Sequence, residues 1–253
     1  MRTRPRALFF AFDSTLLDNS GFRETIRYTC EAICAAHPPL DAARLLAAND
    51  EVWTAYWPSV ERQWELGGIT GEAVSLEGWR RTLRACGCDN QDAERIAQKA
   101  REIHRGHRRA NTRLFPDAVD TLEALSRAGI PLALITNAAS DTQRDTLRRH
   151  GIERHFGAIV VSGEHGVAKP DPAIFHIALD QLGLSFGDPD EIKGVWHIGD
   201  NPYTDVAGAA AAGLTAVWLN RRRRPLEDDA PRPDHEIHSL AELAALLSVP
   251  LRT

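Results

Sequence analysis

Residues 7–13 read ALFFAFD, six apolar residues in a row ending on an acid. A strand with one wet face alternates apolar and polar residues. A short unbroken run instead marks a strand buried on both faces, as in a parallel sheet. Four later stretches have the same character: Pro131–Thr136 (PLALIT), Ala158–Ser162 (AIVVS), Gly194–Ile198 (GVWHI) and Thr215–Leu219 (TAVWL). Between them lie helical patterns at Asp117–Ala128, Ser140–His150, Pro172–Leu182 and Asp205–Ala212. Strand and helix in alternation predict an α/β fold, a doubly wound parallel sheet with helices on both faces.

The alternation stops between Asn19 and Arg113. Phe22–Ala36, Asp41–Val52, Gly71–Ala85 and Asp92–Arg108 carry helical spacing instead, with Asp41 and Asp92 as helix starters. The expected organisation is therefore an α/β core of residues 1–18 and 114–253, interrupted by a helical cap of residues 19–113.

The chain has 253 residues, 43% of them hydrophobic, enough for one large core and a smaller unit beside it. Its formal net charge of −5 gives no reason to expect nucleic acid or an anionic membrane as partner. Arg221–Arg224 is followed by an acidic stretch and reads as a solvated loop. The apolar run at residues 7–12 is too short to span a bilayer, and no small-residue cleavage site follows it. A cytoplasmic protein is expected, monomer or homodimer. Cys30, Cys34, Cys86 and Cys88 then read as ordinary thiols of a reducing compartment.

In open α/β sheets, ligands sit at the carboxyl ends of the strands. Asp13, Ser14 and Thr15 follow the first strand, and Thr136 and Asn137 the second. Lys169 lies in VAKPDP after the third, and Asp200 and Asp205 lie in GDNPYTD after the fourth. Of 30 basic residues only Lys99, Lys169 and Lys193 are lysine, which singles out Lys169. A lysine, a hydroxyl and several carboxylates on one edge suit a phosphate beside a hard cation.

The strings FDSTLLDNSG, ALITNAASDTQRDTL, GEHGVAKPDPAIF and HIGDNPYTDVAGA stand in this order. Together they resemble the four motifs of the haloacid dehalogenase superfamily, in the subgroup with a helical cap after the first motif. The branch of N-acetylneuraminate-9-phosphatases and pyrimidine nucleotidases is similar. That resemblance implies a phosphatase that uses Mg2+ and an aspartyl-phosphate intermediate. Asp13 is then the general acid and base. Ser14, Thr15, Thr136, Asn137 and Lys169 bind the phosphate. The metal is held by the Asp13 carbonyl and Asp200, with Asp205 as a further ligand or an orienter. The expected partner is a small phosphorylated metabolite such as a sugar phosphate or nucleotide.

The same alignment puts Ala11 where the family has its nucleophilic aspartate. A shifted register would make Asp13 the nucleophile, but Leu17 would then occupy the motif threonine. With Ala11 in place, the chain reads as an impaired, substrate-trapping form of a phosphatase. A natural pseudophosphatase that binds a phosphorylated ligand and a phosphomutase are the alternatives. Trp53, Tyr56, Trp57 and Trp64 read as packing within the cap. Arg62 or Arg23 could meet an anionic substrate, and His104, His107 and His165 are expected on the surface.

Overall fold

The computed structural model describes residues 4–184 and 189–251. The chain enters through β1 (Ala7–Phe10) and turns through a two-residue strand, β2 (Leu17–Asp18). Four helices follow: α1 (Phe22–Ala36), α2 (Ala42–Glu65), α3 (Gly71–Ala85) and α4 (Asn90–Asn111). β3 (Arg113–Leu114) pairs antiparallel with β2, so the two crossings between insert and sheet form one short ribbon. The rest alternates: α5 (Pro116–Arg127), β4 (Leu132–Thr136), α6 (Ser140–His150), β5 (Ala158–Val161), α7 (Ser162–His165), α8 (Pro172–Gln181), α9 (Pro189–Lys193) and β6 (Val195–Gly199). A π turn at Pro202–Val206 leads into α10 (Ala207–Ala211), then come β7 (Thr215–Leu219), β8 (His235–Ile237) and α11 (Leu240–Leu246).

Six strands form one parallel sheet in the order β5-β4-β1-β6-β7-β8. Leu8, Phe10 and Phe12 face a layer with Leu122, Leu134 and Leu243. Ala7 and Phe9 face the other, with Ile135, Phe175 and Trp218. Both faces of β1 are dry, which is why its sequence does not alternate. Cutting Phe10 to alanine would cost about 3–5 kcal/mol at such a site.

The expected runs of apolar residues are β1, β4, β5, β6 and β7. The short β2–β3 ribbon, β8 and α11 were not anticipated. α2 runs to Glu65, well past the expected Val52, and carries Pro58 inside it. A proline in a helix interior costs about 3 kcal/mol. Tyr56 and Val60 lie beyond Val52 and are buried with Val74, and Trp53, Trp57 and Trp64 pack around them. That burial outweighs the lost hydrogen bond. The insert has a second apolar cluster around Ile33, Leu45, Trp79, Leu83 and Ile96.

Two expectations fail on burial. His104 is not a surface residue: its ring is buried beside Trp79 and Phe22, and burial pushes its pKa down to about 4. Arg221 is not solvated either, because it forms an ion pair with Asp117. Among the described residues, no helix is long and apolar enough to cross a membrane.

The insert sits down on the sheet edge through directed contacts. Asp141, in the first turn of α6, accepts the Gly71 and Glu72 N–H groups at 2.9 and 3.1 Å, capping α3 from the other layer. Arg109 pairs with Asp145, and Ser162 Oγ donates to the Glu65 carbonyl. Gly67 lies so close to Gly163 that a Cβ there would fall 2.1 Å from its carbonyl oxygen.

Candidate active site

The strand order reverses at β1, with β4 on one side and β6 on the other. This is where an open α/β sheet leaves a crevice. Ala11 prolongs β1, its N–H donating to the Ile198 carbonyl at 2.9 Å, and is 4% exposed. Phe10 is paired with Leu134 and Ile198, so Ala11 comes level with Ile135 and Gly199. The chain then turns sharply. The Phe12 carbonyl accepts the N–H groups of Leu16 and Leu17, and Ser14 adopts φ +59°. Glycine would take that left-handed conformation without strain.

The turn delivers Asp13 to two donors. Asn19 Nδ2 reaches Asp13 Oδ1 at 2.8 Å, and Gln143 Nε2 reaches Oδ2 at 2.7 Å. Gln143 Nε2 also donates to Thr136 Oγ1 at 2.8 Å. Asp13 and Thr136 are thus tied together through a glutamine of α6.

On the other side the Lys169 ammonium donates to the Ile135 carbonyl at 3.1 Å and to Asp205 Oδ1 at 2.6 Å, with the residue only 5% exposed. Its backbone is clamped as well. The Lys169 N–H donates to Asn137 Oδ1, and Asn137 Nδ2 donates to the Lys169 carbonyl, both at 2.9 Å. Asp205 Oδ1 also lies 2.9 Å from His197 Nε2, and Asp205 Oδ2 accepts the Asn201 N–H at 3.0 Å. A carboxylate only accepts, so the His197 proton is on Nε2. Burial favours the neutral imidazole and lowers the His197 pKa. Burial alone would raise Asp205. The Lys169 ammonium and the His197 N–H outweigh it and hold that carboxyl below the usual range. Gly199 makes room, since a Cβ there would meet Asp205 Cγ at 2.1 Å.

Asp200 is treated differently. Among the described residues, no side-chain donor reaches its carboxylate. Burial, then the charges of Asp205 and Asp13, push its pKa up to about 6 despite Lys169. Glu65 enters from the insert: its Oε1 accepts from Asn137 Nδ2 at 3.0 Å, and burial raises its pKa.

Asp13, Thr136, Asn137, Lys169, Asp200 and Asp205 therefore share one edge. Thr15 does not join them. It is fully buried, and its Oγ1 has no partner. The tight turn puts Thr15 in the core, where its carbonyl accepts from Arg221. For Asp205 the orienting role fits, because Lys169, His197 and Asn201 occupy its oxygens. Among the described residues, no three His, Cys, Asp or Glu side chains come together as a metal group. The donor set still suits a hard cation. Asp200 is a half-buried carboxylate with acidic neighbours, and magnesium takes one or two carboxylates and completes its shell with water and phosphate oxygens.

Asn19, Gln143, His197 and Glu65 were not singled out from the sequence. Gln143 and Asn19 lie inside the motif strings, and His197 sits in β6 two residues before Gly199. Glu65 carries no local signal.

A family profile described as haloacid dehalogenase-like hydrolase matches residues 5–213. The chain belongs to the haloacid dehalogenase-like hydrolases. It is 39% identical over 228 residues to the phosphoserine phosphatase of Thermus thermophilus, covering 88% of this chain and 84% of that one. It is 29% identical to the N-acylneuraminate-9-phosphatase of Mus musculus, covering 97% and 94%. Among solved structures, a 2-haloacid dehalogenase from Pseudomonas syringae superposes with a TM-score of 0.68 at 26% identity, covering 96% of this chain and 98% of that chain. YfnB of Bacillus subtilis, a haloacid dehalogenase-type hydrolase bound to magnesium, gives 0.68 at 25% identity, covering 98% and 100%.

Proposed function

We propose that this hydrolase is a phosphomonoesterase for a small phosphorylated metabolite, in a form whose nucleophile is replaced by Ala11 and whose phosphate site remains. The observation that carries the reading is Lys169. Its ammonium is fixed by Asp205 and by the carbonyl of Ile135, the residue level with Ala11 on β4. An ordered cation beside a position with no carboxylate is suited to holding a phosphate that nothing attacks. The relatives named phosphoserine phosphatase and N-acylneuraminate-9-phosphatase support a phosphate ester as substrate.

With aspartate at position 11, the carboxylate attacks phosphorus while the bond to the leaving oxygen breaks, and an aspartyl-phosphate forms. Asp13 gives its proton to the leaving oxygen, then takes one from the water that releases phosphate. Asn19 and Gln143 aim the Asp13 carboxylate, and Gln143 aligns Thr136 toward the same phosphate. Lys169 offsets the charge that builds on the phosphoryl oxygens. Mg2+, held by Asp200 and the Asp13 carbonyl, would supply further charge neutralisation there. The helical insert acts as a cap over this edge and excludes water.

The test is Ala11→Asp, assayed for phosphate release over a panel of phosphomonoesters with magnesium. Nucleophile loss costs several orders of magnitude, so turnover should rise at least about a thousandfold and should vanish again with Asp13→Asn. An unmodified chain that already turns over fast would make Asp13 the nucleophile. Ala11 itself favours a second reading, a non-catalytic protein that binds a phosphorylated ligand. Inactivity of the Ala11→Asp protein on every ester, with phosphate binding retained, would support it.

A further inference from the structure

The arginine run after β7 has no part in the reaction above, and its four members do different things. Arg221 is structural. It holds Asp117 through two hydrogen bonds at 2.9 and 3.0 Å, donates to the Thr15 carbonyl at 3.0 Å, and lies 3.9 Å over the Phe115 ring. Asn220 clasps both ends of the turn, accepting the Arg224 N–H at 2.9 Å and donating to the Arg224 carbonyl at 2.8 Å. Arg223 takes the left-handed conformation, φ +51°, that closes it. The backbone is thus pinned, while the Arg222 and Arg224 side chains stand exposed and form no ion pair with any described residue.

Arg222 and Arg224 line a cleft of ≈ 580 Å³ that begins at Ser14 and Asp200. Three acids line it: Asp200, which no side-chain donor reaches among the described residues, and Glu227 and Asp18, neither of which pairs with an arginine. Glu227 accepts from the Tyr203 hydroxyl at 2.6 Å, and Asp18 accepts the Ser20 N–H at 2.8 Å. Two guanidinium groups without an ion-pair partner among the described residues, on a pinned turn, therefore line a space that opens onto the phosphate edge. A volume of this order suits a small ligand, and the guanidinium fork matches carboxylate and phosphate oxygens.

We propose that this cleft is a second anion subsite, in which Arg222 and Arg224 hold a carboxylate or second phosphate on the leaving group. The inference rests on the phosphatase reading, which supplies the first phosphate. It assigns part of the leaving-group choice to the α/β layer rather than to the helical insert.

Matched ligand pairs test it on the unaltered chain, which should bind without turnover. 3-Phosphoglycerate and glycerol 3-phosphate differ in a carboxylate against a hydroxymethyl group. Fructose 1,6-bisphosphate and fructose 6-phosphate differ in a second phosphate. By titration calorimetry with magnesium, the more anionic member of at least one pair should bind about tenfold tighter, and the pair that shows the advantage identifies the anion. In the Arg222→Gln/Arg224→Gln variant that ratio should collapse to about one. Both side chains are exposed, and an unchanged circular dichroism spectrum checks that the fold is kept. Equal affinities within both pairs, or a ratio that survives the double substitution, overturn the subsite and leave the phosphate site standing. Failure of all four ligands to bind overturns the phosphatase reading and the subsite with it.

Discussion

Lys169 and Asp200 stand on the same sheet edge, and the fold treats them in opposite ways. The lysine is enclosed: Asp205, itself held by His197, pairs with its ammonium, and Asn137 clamps its backbone before any ligand arrives. The aspartate is half-buried with acids as neighbours, and its pKa rises to about 6. One side of the site is prebuilt and rigid, the other carries a charge that only an incoming partner can balance. A buried group paired in advance contributes order, whereas one left unpaired stores a binding incentive.

The strongest way to break the closed side is Lys169→Met. It strands the Asp205 carboxylate in the core, and breaking a buried pair should cost about 3–5 kcal/mol, read as a shift of the urea midpoint at pH 7. The acid limb should move with it. Asp205 now contributes stability above its unfolded pKa that is lost as pH falls through its lower folded value. That contribution should shrink in the variant.

The open side should respond with the opposite sign. The folded pKa of Asp200 is raised, so its ionisation costs stability as pH rises from the unfolded value near 4 to about 6. Asp200→Asn should therefore stabilise the metal-free protein at pH 7 by up to about 2–3 kcal/mol, and by almost nothing below pH 4. The same substitution should weaken the thermal shift produced by magnesium. Loss of stability at pH 7 would sink the picture of an uncompensated carboxylate.

His104 extends the comparison into the insert as a buried cation-former with no anion beside it among the described residues. Its pKa is lowered to about 4, so the unfolded chain takes up a proton below pH 6.5 while the native protein does not. Stability should fall by about 1.4 kcal/mol per pH unit between roughly 6.5 and 4 from this group, and His104→Leu should flatten that part of the curve. The smallest effect concerns the turn that carries Asp13. Ser14 at φ +59° is strained, and Ser14→Gly should gain about 1 kcal/mol.

Much of the molecule was legible because it is written locally. A strand dry on both faces must be apolar throughout, so five of the sheet strands could be read as runs. A strand must be followed by whatever its carboxyl end presents, so Asp13, Thr136, Lys169 and Asp200 could be gathered on one edge. The β2–β3 ribbon and β8 escaped because two or three residues carry no period. The expected helix stopped at Val52, short of the Glu65 end of α2, because the burial of Tyr56 and Val60 against Val74 cannot be seen within α2 alone.

By itself, then, the sequence determined the layered α/β plan, the edge where chemistry is placed, and the alanine at position 11. Tertiary structure alone decided how that edge is held. Gln143 meets Asp13 across 130 residues of chain, Arg221 meets Thr15 across 206, and Glu65 reaches Asn137 from the insert. Such contacts follow from which elements pack together, and no local spacing encodes them. Thr15 shows the same limit from the other side. Its place in a motif suggested a ligand contact, and one left-handed residue before it turned its side chain into the core.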